Sequence, residues 1–194
     1  MIHSGPVASY ATPLTIFVIA DTHIWETGRR SLPSEVIALL QRSQAELVLH
    51  AGDINDHSVL EELAAIAPVL AVRGNNDDAE LQETLPLTRQ FRVGAFQIGL
   101  IHGHEGRSAR ESAFASFGAD VDLVVYGHSH IPKIEKRGKT VYFNPGSATD
   151  RRWNPHFGIG ILRCTDERID PHLILFTRPA DLANVTMNWL PADH

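Results

Sequence analysis

Six short polar clusters along the chain combine residue types that bind metal ions. In chain order they are Asp21-Thr22-His23, Gly52-Asp53, Gly74-Asn75-Asn76-Asp77, His102-Gly103-His104, Gly127-His128-Ser129-His130 and Asn144-Pro145-Gly146-Ser147. Carboxylate, amide and imidazole donors together suit Mn²⁺, Fe, Ni²⁺ or Zn²⁺, and the single cysteine leaves no thiolate set to compete. An His-x-His pair at a strand end can offer one ring to each of two neighbouring ions. The clusters therefore predict metal-dependent chemistry.

The segments around these clusters predict strands that alternate with helices. Apolar, β-branched runs predict strands over residues 14–20, 46–50, 69–72, 96–101, 123–126 and 140–143. Amphipathic segments predict helices over residues 33–43, 58–66 and 108–117. Two hairpins are expected, one pairing 133–136 with 139–143 and one pairing 158–163 with 169–176. Each polar cluster follows a strand, and ligands bind at the carboxyl ends of strands in open α/β sheets, so we expect the clusters to meet in one site.

Length and composition predict one folded domain over residues 1–194, with a core at about 14–176. Residues 1–13 and 179–194 carry no clear pattern and are expected to be a loose arm and tail. Lys and Arg number 17 against 23 Asp and Glu, and this acidic balance argues against general nucleic-acid binding. The apolar run at 14–20 is too short for a membrane span. The lone Cys164 excludes an intramolecular disulfide and favours a cytoplasmic location.

The order of the clusters resembles the calcineurin-like metallophosphoesterase superfamily. That pattern runs D-x-H, G-D, G-N-H-[D/E], a further His and G-H-x-H, and it matches this chain over roughly residues 14–176. The segment Asn144-Pro145-Gly146-Ser147 is similar to the small single-domain phosphodiesterase branch of the superfamily. The resemblance implies an α/β fold, a four-layer αββα sandwich of two mixed sheets flanked by helices.

The resemblance also implies a dinuclear metal site with seven ligands. One ion would be bound by Asp21, His23 and His130, the other by Asn75, His102 and His128, with Asp53 bridging them. Mn²⁺ is the favoured pair of ions, with Fe, Ni²⁺ or Zn²⁺ as alternatives. Two ions about 3.5–4 Å apart would clamp a phosphoryl group and activate the water that attacks phosphorus. The implied reaction is hydrolysis of a small phosphoester, a phosphodiester before a phosphomonoester, with Asp53, Asn75, His102 and His104 as its catalytic residues.

The chain departs from the family pattern at Asn76, where the superfamily has the His assigned as proton donor to the leaving group. An amide cannot donate a proton at neutral pH. Either the leaving group needs little protonation, or His104 or a metal-bound water substitutes. Asn76, His104 and Arg151 are the expected substrate contacts. Arg151 and the neighbouring Arg152 are expected either to bind a substrate phosphate together or to be a solvated pair.

Several residues beside the clusters have structural explanations as well as functional ones. We expect Trp25 either to stack against a base or to contact a second subunit in a dimer. We expect His50 to be a hydrogen-bonded core residue. Asp56 is expected to orient a ligand imidazole, and Cys164 to be inert packing. Surface positions are expected for His3, His57, His156, His172 and His194.

Three other functions fit parts of the pattern. A non-catalytic interaction scaffold, as in the retromer subunit Vps29, would share the fold, but the full ligand set argues against it. A metallo-β-lactamase-type hydrolase would need an H-x-H-x-D-H string, which the sequence lacks, and an amidohydrolase would carry its H-x-H after the first strand, where Asp21-Thr22-His23 stands. A nucleic-acid-binding module fits least, given the net charge of −6. The sequence is compatible with a homo-oligomer and does not identify the oligomeric state.

Overall fold

A computed structural model describes residues 8–187 apart from 26, 29, 107 and 119. One sheet has five strands in the order β11-β10-β2-β3-β4. Its strands are β2 (Leu14–Ile19), β3 (Leu47–His50), β4 (Val69–Ala71), β10 (Phe157–Cys164) and β11 (Ile169–Phe176). The strands β2, β3 and β4 are parallel, β10 is antiparallel to β2, and β11 is antiparallel to β10. The carboxyl ends of the three parallel strands therefore lie on one edge of this sheet.

The other sheet has six strands in the order β1-β5-β6-β7-β9-β8. Its strands are β1 (Ser9–Tyr10), β5 (Thr88–Val93), β6 (Phe96–Ile101), β7 (Leu123–Tyr126), β8 (Lys133–Arg137) and β9 (Thr140–Asn144). The pairs β6–β7 and β7–β9 are parallel, whereas β5–β6 and β8–β9 are antiparallel. Both sheets are thus mixed, as the resemblance implies.

The helices cover the outer faces of the two sheets. They are α1 (Ser34–Arg42), α2 (His57–Ala64), α3 (Ala79–Thr84) and α4 (Ala109–Ser116), with a 3₁₀ helix at Pro179–Asn184. Alternate residues of β2 pack in opposite directions, since Ile16 contributes to the core between the sheets and Phe17 to the core beneath α1 and α2. On the other side, Val124 of β7 packs in a third cluster with Ala113 of α4. The layers follow the order helix, sheet, sheet, helix, so the four-layer αββα prediction is confirmed.

Close contact between the sheets depends on a glycine in β10. A Cβ atom on Gly160 would lie 2.3 Å from Cε1 of Phe143, a side chain that is fully buried between the sheets. A distance this short is far inside van der Waals contact, so any larger residue at this position would push the two sheets apart.

The predicted strands and helices lie where the structure has them, and three strands match at both ends: β6, β7 and β11. The sequence analysis missed α3 and β5. In β5 only Phe91 and Val93 are buried, so the strand carries almost no apolar signal.

Parts of the expected loose arm and tail pack against the domain, whereas residues 1–7 and 188–194 lie outside the described residues. Within the arm, β1 pairs in parallel with β5. In the tail, the 3₁₀ helix packs on α1, with Leu182 fully buried and its carbonyl accepting a 2.8 Å hydrogen bond from Nη2 of Arg42. Among the described residues, no helix is long and apolar enough to cross a membrane.

Candidate metal centre

The loops after β2 and β3 lie side by side and continue the parallel pairing of the strands. The backbone N–H of Asp21 donates to the carbonyl of Gly52 at 3.0 Å, and that of His23 donates to the carbonyl of Asp53 at 3.0 Å. The glycine that opens the next cluster permits a third loop to approach, because a Cβ on Gly74 would lie 2.2 Å from Oδ1 of Asp53. The Gly-Asp and Gly-Asn spacings therefore reflect close backbone packing around one carboxylate.

Asp21, His23 and His130 form the first group of candidate metal ligands. One ligand atom from each lies within 4.8 Å of the others. The two imidazole Nε2 atoms are 3.1 Å apart, and Nε2 of His130 is 3.6 Å from Oδ1 of Asp21. Asp21 and His130 are fully buried, whereas His23 is partly exposed. This group opens to solvent on the side of His23.

Asp53, His102 and His128 form the second group, which meets the same 4.8 Å criterion. Nε2 of His102 lies 3.2 Å from Oδ1 of Asp53, and the rings of His102 and His128 have their centroids 5.0 Å apart. The His-x-His pair is therefore divided, with His130 in the first group and His128 in the second.

Asp53 joins the two groups. Its Oδ1 faces His102, and its Oδ2 lies 3.4 Å from Nε2 of His23 in the first group. Two hydrogen bonds from Asn76 fix the carboxylate, one from the backbone N–H to Oδ1 at 2.9 Å and one from Nδ2 to Oδ2 at 2.7 Å. Each oxygen thus serves a different group.

The ring tautomers direct lone pairs into the centre. Nδ1 of His102 lies 2.8 Å from the carbonyl of Ala51, and Nδ1 of His130 contacts the carbonyl of Asp150. A carbonyl only accepts, so both Nδ1 atoms carry the proton and both Nε2 atoms are left as acceptors. Within the described part of the chain, Nε2 of His102 and Oδ2 of Asp21 are buried without a hydrogen-bond partner. Acceptors facing one another at this spacing fit a bound cation.

The pKa shifts agree with a site built for positive ions. Burial raises the pKa of Asp21 to about 7, and burial lowers the pKa of His130 to about 4. Burial also lowers the pKa of His23 and His128, so these rings are neutral, as metal ligands must be. Burial acts to lower the pKa of His102 as well, but the neighbouring Asp53 and Asp21 outweigh it and raise that pKa.

Asn75 is exposed on the loop between β4 and α3. Asp77 ties this loop to its neighbour, because its Oδ1 accepts from the N–H groups of Ile54 and Asn55 and its Oδ2 accepts from the N–H of Gly74 at 2.6 Å. The role of Asp77 was not visible from its position in the sequence, since it acts on a loop more than twenty residues away.

The Asn144-Pro145-Gly146-Ser147 segment supports the backbone of the centre. Oγ of Ser147 donates to the carbonyl of Asp21 at 2.7 Å, and Nδ2 of Asn144 donates to the carbonyl of Gly127 at 2.9 Å. This segment therefore holds the loops that carry Asp21 and His128 in position.

A cleft of about 730 Å³ opens beside the first group. It is lined by His23, Trp25, Gly28, Arg30, Asn55, Asn76, Asp150 and Arg152. His104 lies near the second group, with its ring centroid 5.4 Å from that of His102 and its Nδ1 buried without a hydrogen-bond partner. Arg151, expected as a substrate contact, instead donates to the carbonyl of Asn154 at 2.6 Å and lies over the ring of Phe157. Its neighbour Arg152 lines the cleft.

Two residues beside the centre have structural contacts. His50 is fully buried with a 3.1 Å contact to Oγ1 of Thr22, and burial lowers its pKa to about 3, so it is a neutral core histidine. The carboxylate of Asp56 accepts from the backbone N–H of Ser58 as the N-cap of α2, and its expected role in orienting a ligand imidazole stays a prediction. Backbone carbonyls contact Nδ1 of His102 and Nδ1 of His130.

The other side positions also have a place in the fold. Cys164 is a free, buried thiol, and burial raises its pKa to about 12. His57 is exposed, His156 and His172 are half-buried, and His3 and His194 lie outside the described residues.

Comparison with known proteins gives one consistent family. Residues 14–167 match the model of the calcineurin-like phosphoesterase superfamily domain. A probable metallophosphoesterase of Methanothermobacter thermautotrophicus is 34% identical over 163 residues, which is 83% of this chain and 92% of the relative. Phosphodiesterase YfcE of Escherichia coli K12 is 33% identical over 140 residues, covering 61% of this chain and 74% of the relative. Vps29 of Chaetomium thermophilum has the same fold, with a TM-score of 0.68 at 24% identity over 86% of this chain and all of that one.

Proposed function

Because this chain belongs to the calcineurin-like phosphoesterase superfamily and is a metal-dependent phosphoesterase, we propose that it hydrolyses phosphodiesters with two divalent ions bound side by side. The observation that carries the proposal is the position of Asp53 between the two ligand groups. Its Oδ1 is 3.2 Å from Nε2 of His102 and its Oδ2 is 3.4 Å from Nε2 of His23. A carboxylate that reaches both groups suits a shared ligand of two ions.

The two groups would hold one ion each, with Asp21, His23 and His130 around the first, His102 and His128 around the second, and Asp53 shared between them. The exposed Asn75, on the neighbouring loop, is the further ligand that we propose for the second ion. Mn²⁺ is the favoured metal, because the donors are oxygen and nitrogen atoms only. When bound, two such ions supply positive charge to the phosphoryl oxygens and generate the water-derived nucleophile at neutral pH.

The protein's own residues hold this centre and receive the substrate. Asn76 fixes Asp53 through two hydrogen bonds, so its side chain orients the shared carboxylate. Arg152 lines the cleft beside the first group and offers a cation to a phosphate oxygen. His104, whose ring centroid is 5.4 Å from that of His102, is the residue that we propose as a hydrogen-bond donor to the phosphoryl group.

The absence of a proton donor at Asn76 sets the kind of leaving group. Burial lowers the pKa of His104, so its ring is neutral at pH 7 and is a poor general acid. We therefore propose that the enzyme acts on phosphodiesters whose leaving group needs little protonation. The open cleft leaves room for the second ester group of a diester, and the similar Escherichia coli protein is named a phosphodiesterase.

The proposal is tested by metal analysis together with hydrolysis of two nitrophenyl substrates. The purified protein loaded with Mn²⁺ is expected to hold two ions per chain and to hydrolyse bis(p-nitrophenyl) phosphate faster than p-nitrophenyl phosphate. Excess chelator is expected to abolish turnover, and Mn²⁺ to restore it. Full activity in chelator would refute the metal mechanism, and faster hydrolysis of the monoester would refute the diester preference. A protein that binds no metal and hydrolyses neither ester would favour the interaction scaffold.

We also propose a cytoplasmic location. The chain has one cysteine, Cys164, whose thiol is free and buried, and a protein without a disulfide framework is typical of a reducing compartment. Fractionation of the source cells with an antibody against the protein would test it.

A further inference from the structure

The cleft beside the first ligand group has one wall that the proposed phosphoryl chemistry does not use. Trp25 lies on this wall and is 47% exposed, an unusual exposure for a large aromatic residue. The carbonyl of Trp25 accepts a 2.8 Å hydrogen bond from the backbone N–H of Gly28, which closes the turn that carries the indole. A tryptophan displayed in a cleft offers a face on which a planar ring can stack.

Asn55 contributes an unsatisfied acceptor to the same cleft. The residue is 2% exposed, and its Oδ1 is buried without a hydrogen-bond partner among the residues that the structure describes. A buried amide oxygen without a partner costs about 1–3 kcal/mol, so such atoms are rare in folded proteins. Its backbone is fixed, since φ is +82° and the N–H donates to Oδ1 of Asp77 at 2.8 Å. Because Asn55 lines the cleft, this oxygen is an acceptor for a ligand N–H.

The cleft also contains a cation that no carboxylate of the described residues neutralises. Arg30 is paired with Asp150 at 3.2 Å, but Arg152 has no ion pair in the described part of the chain. Arg152 lines the same cleft as His23 of the candidate metal centre and as Trp25.

We propose that the substrate is a nucleotide-type phosphodiester whose base stacks on Trp25 and donates an N–H to Oδ1 of Asn55, while Arg152 holds a phosphate oxygen. The three features select different parts of one molecule: a planar ring, a donor at the ring edge and an anionic phosphate. The inference rests on the proposed function, because the metal centre provides the site of hydrolysis. The nucleoside stays on the phosphate, so water replaces the other ester group and the products are a nucleoside monophosphate and an alcohol or phenol.

The test compares substrates that share one leaving group. They are thymidine 5′-p-nitrophenyl phosphate, its abasic tetrahydrofuran analogue and its N3-methyl derivative, assayed with the Mn²⁺-loaded full-length protein. The thymidine ester is expected to exceed the abasic ester about tenfold or more in kcat/KM, because one base–aromatic stack contributes this much. It is expected to exceed the N3-methyl ester about threefold or more, because the methyl group removes the N–H donor.

Variants then assign each preference to its residue. Trp25→Ala is expected to reduce the thymidine-to-abasic ratio about tenfold, and Trp25→Phe to restore most of it. Asn55→Gly, which keeps the left-handed backbone, is expected to abolish discrimination against the N3-methyl ester. Trp153→Ala is the matched control, because Trp153 is 94% exposed and lies outside the cleft lining, so both ratios should be unchanged.

The outcomes separate this inference from the proposed function. Equal kcat/KM for all three esters would overturn the nucleotide subsite and leave the phosphodiesterase proposal standing. If none of the esters is hydrolysed, the proposed function fails, and the subsite is judged by tryptophan fluorescence during titration with thymidine 5′-phosphate. Quenching in the wild type that is lost in Trp25→Phe would support the subsite, and no quenching would refute it.

Discussion

Asp53→Asn is the substitution that most directly tests the shared ligand. The carboxylate accepts two hydrogen bonds from Asn76, one on each oxygen. An amide has a single oxygen, so the variant must turn its NH₂ toward one of these donors, and the donor left unpaired costs about 1–3 kcal/mol. The same NH₂ would face His23 or His102, where a cation is expected. Because one group loses its carboxylate entirely, we expect the pair of ions to be lost and turnover to fall more than the ~10–100-fold typical of residues that only orient ligands.

The assay measures metal content and turnover of the same preparations. Each protein is loaded with Mn²⁺, dialysed and analysed by mass spectrometry for metal per chain, then assayed with bis(p-nitrophenyl) phosphate. Asp56→Asn is the matched control, because it makes the same chemical change three residues away at the N-cap of α2, where Asn caps as well as Asp. The control is expected to keep two ions and activity within about threefold. An Asp53→Asn variant that keeps two ions and most of its activity would show that the bridging assignment is mistaken.

Three further expectations follow from the same centre. His128→Ala and His130→Ala should each retain about one ion, since the two rings belong to different groups, and equal, mild effects on metal content would point to a structural role. The apparent affinity for Mn²⁺ should fall as the pH is lowered from 8 to 6, because burial raises the pKa of Asp21 to about 7 and a protonated carboxyl cannot bind metal. Calorimetry in buffers of different ionisation enthalpy should detect the proton released on metal binding. An affinity that does not change with pH would contradict this expectation. Asn76→His should flatten the dependence of the single-turnover rate on leaving-group pKa, because an imidazole that protonates the leaving group contributes ~10²–10⁴-fold. The variant also loses the hydrogen bond from the Asn76 amide to Asp53, which should weaken metal binding. An unchanged slope in a variant that holds two ions would mean that another group already supplies the proton.

The parts of the structure that were predictable from sequence are those with a strong local signal. The strand at Leu123–Tyr126 is apolar throughout because both of its faces are buried, and its ends are marked by Asp122 and Gly127. The metal-ligand types follow the strands because the carboxyl ends of parallel strands converge. These features depend on residues adjacent in sequence, which is why they were visible without a structure.

The parts that were missed depend on contacts between distant segments. β5 has only two buried residues and is defined by pairing with β1 and β6, which its own sequence does not encode. The sequence analysis expected Arg151 to contact the substrate, but Arg152 lines the cleft, and the cause is a local backbone conformation that residue spacing does not reveal. Arg152 has φ of +50°, and this left-handed turn sends successive side chains in different directions. The unpaired Oδ1 of Asn55 could be recognised only from the structure, which shows the hydrogen bonds around it.

The backbone of the centre is held in a conformation that most residues avoid. Asp21, His23, Asp53, His128 and His130 all have positive φ, between 48° and 65°. An extended strand would separate residues i and i+2 by roughly 6–7 Å along one face. The left-handed turns instead curl the D-x-H segment so that Asp21 and His23 serve one group, and they divide the H-x-H pair between two groups.

Such strain persists only where the surroundings over-determine the conformation. Here the constraints come from the paired loops after β2 and β3 and from Ser147, whose hydroxyl holds the carbonyl of Asp21. These constraints are hydrogen bonds between protein atoms, and they fix the backbone of the donor residues. A preorganised set of donors loses little conformational entropy on binding metal, and the binding energy is then available to offset the strain in the folded state. The loops that carry the candidate ligands thus also hold these residues at positive φ, a conformation that would lower stability in a less constrained segment.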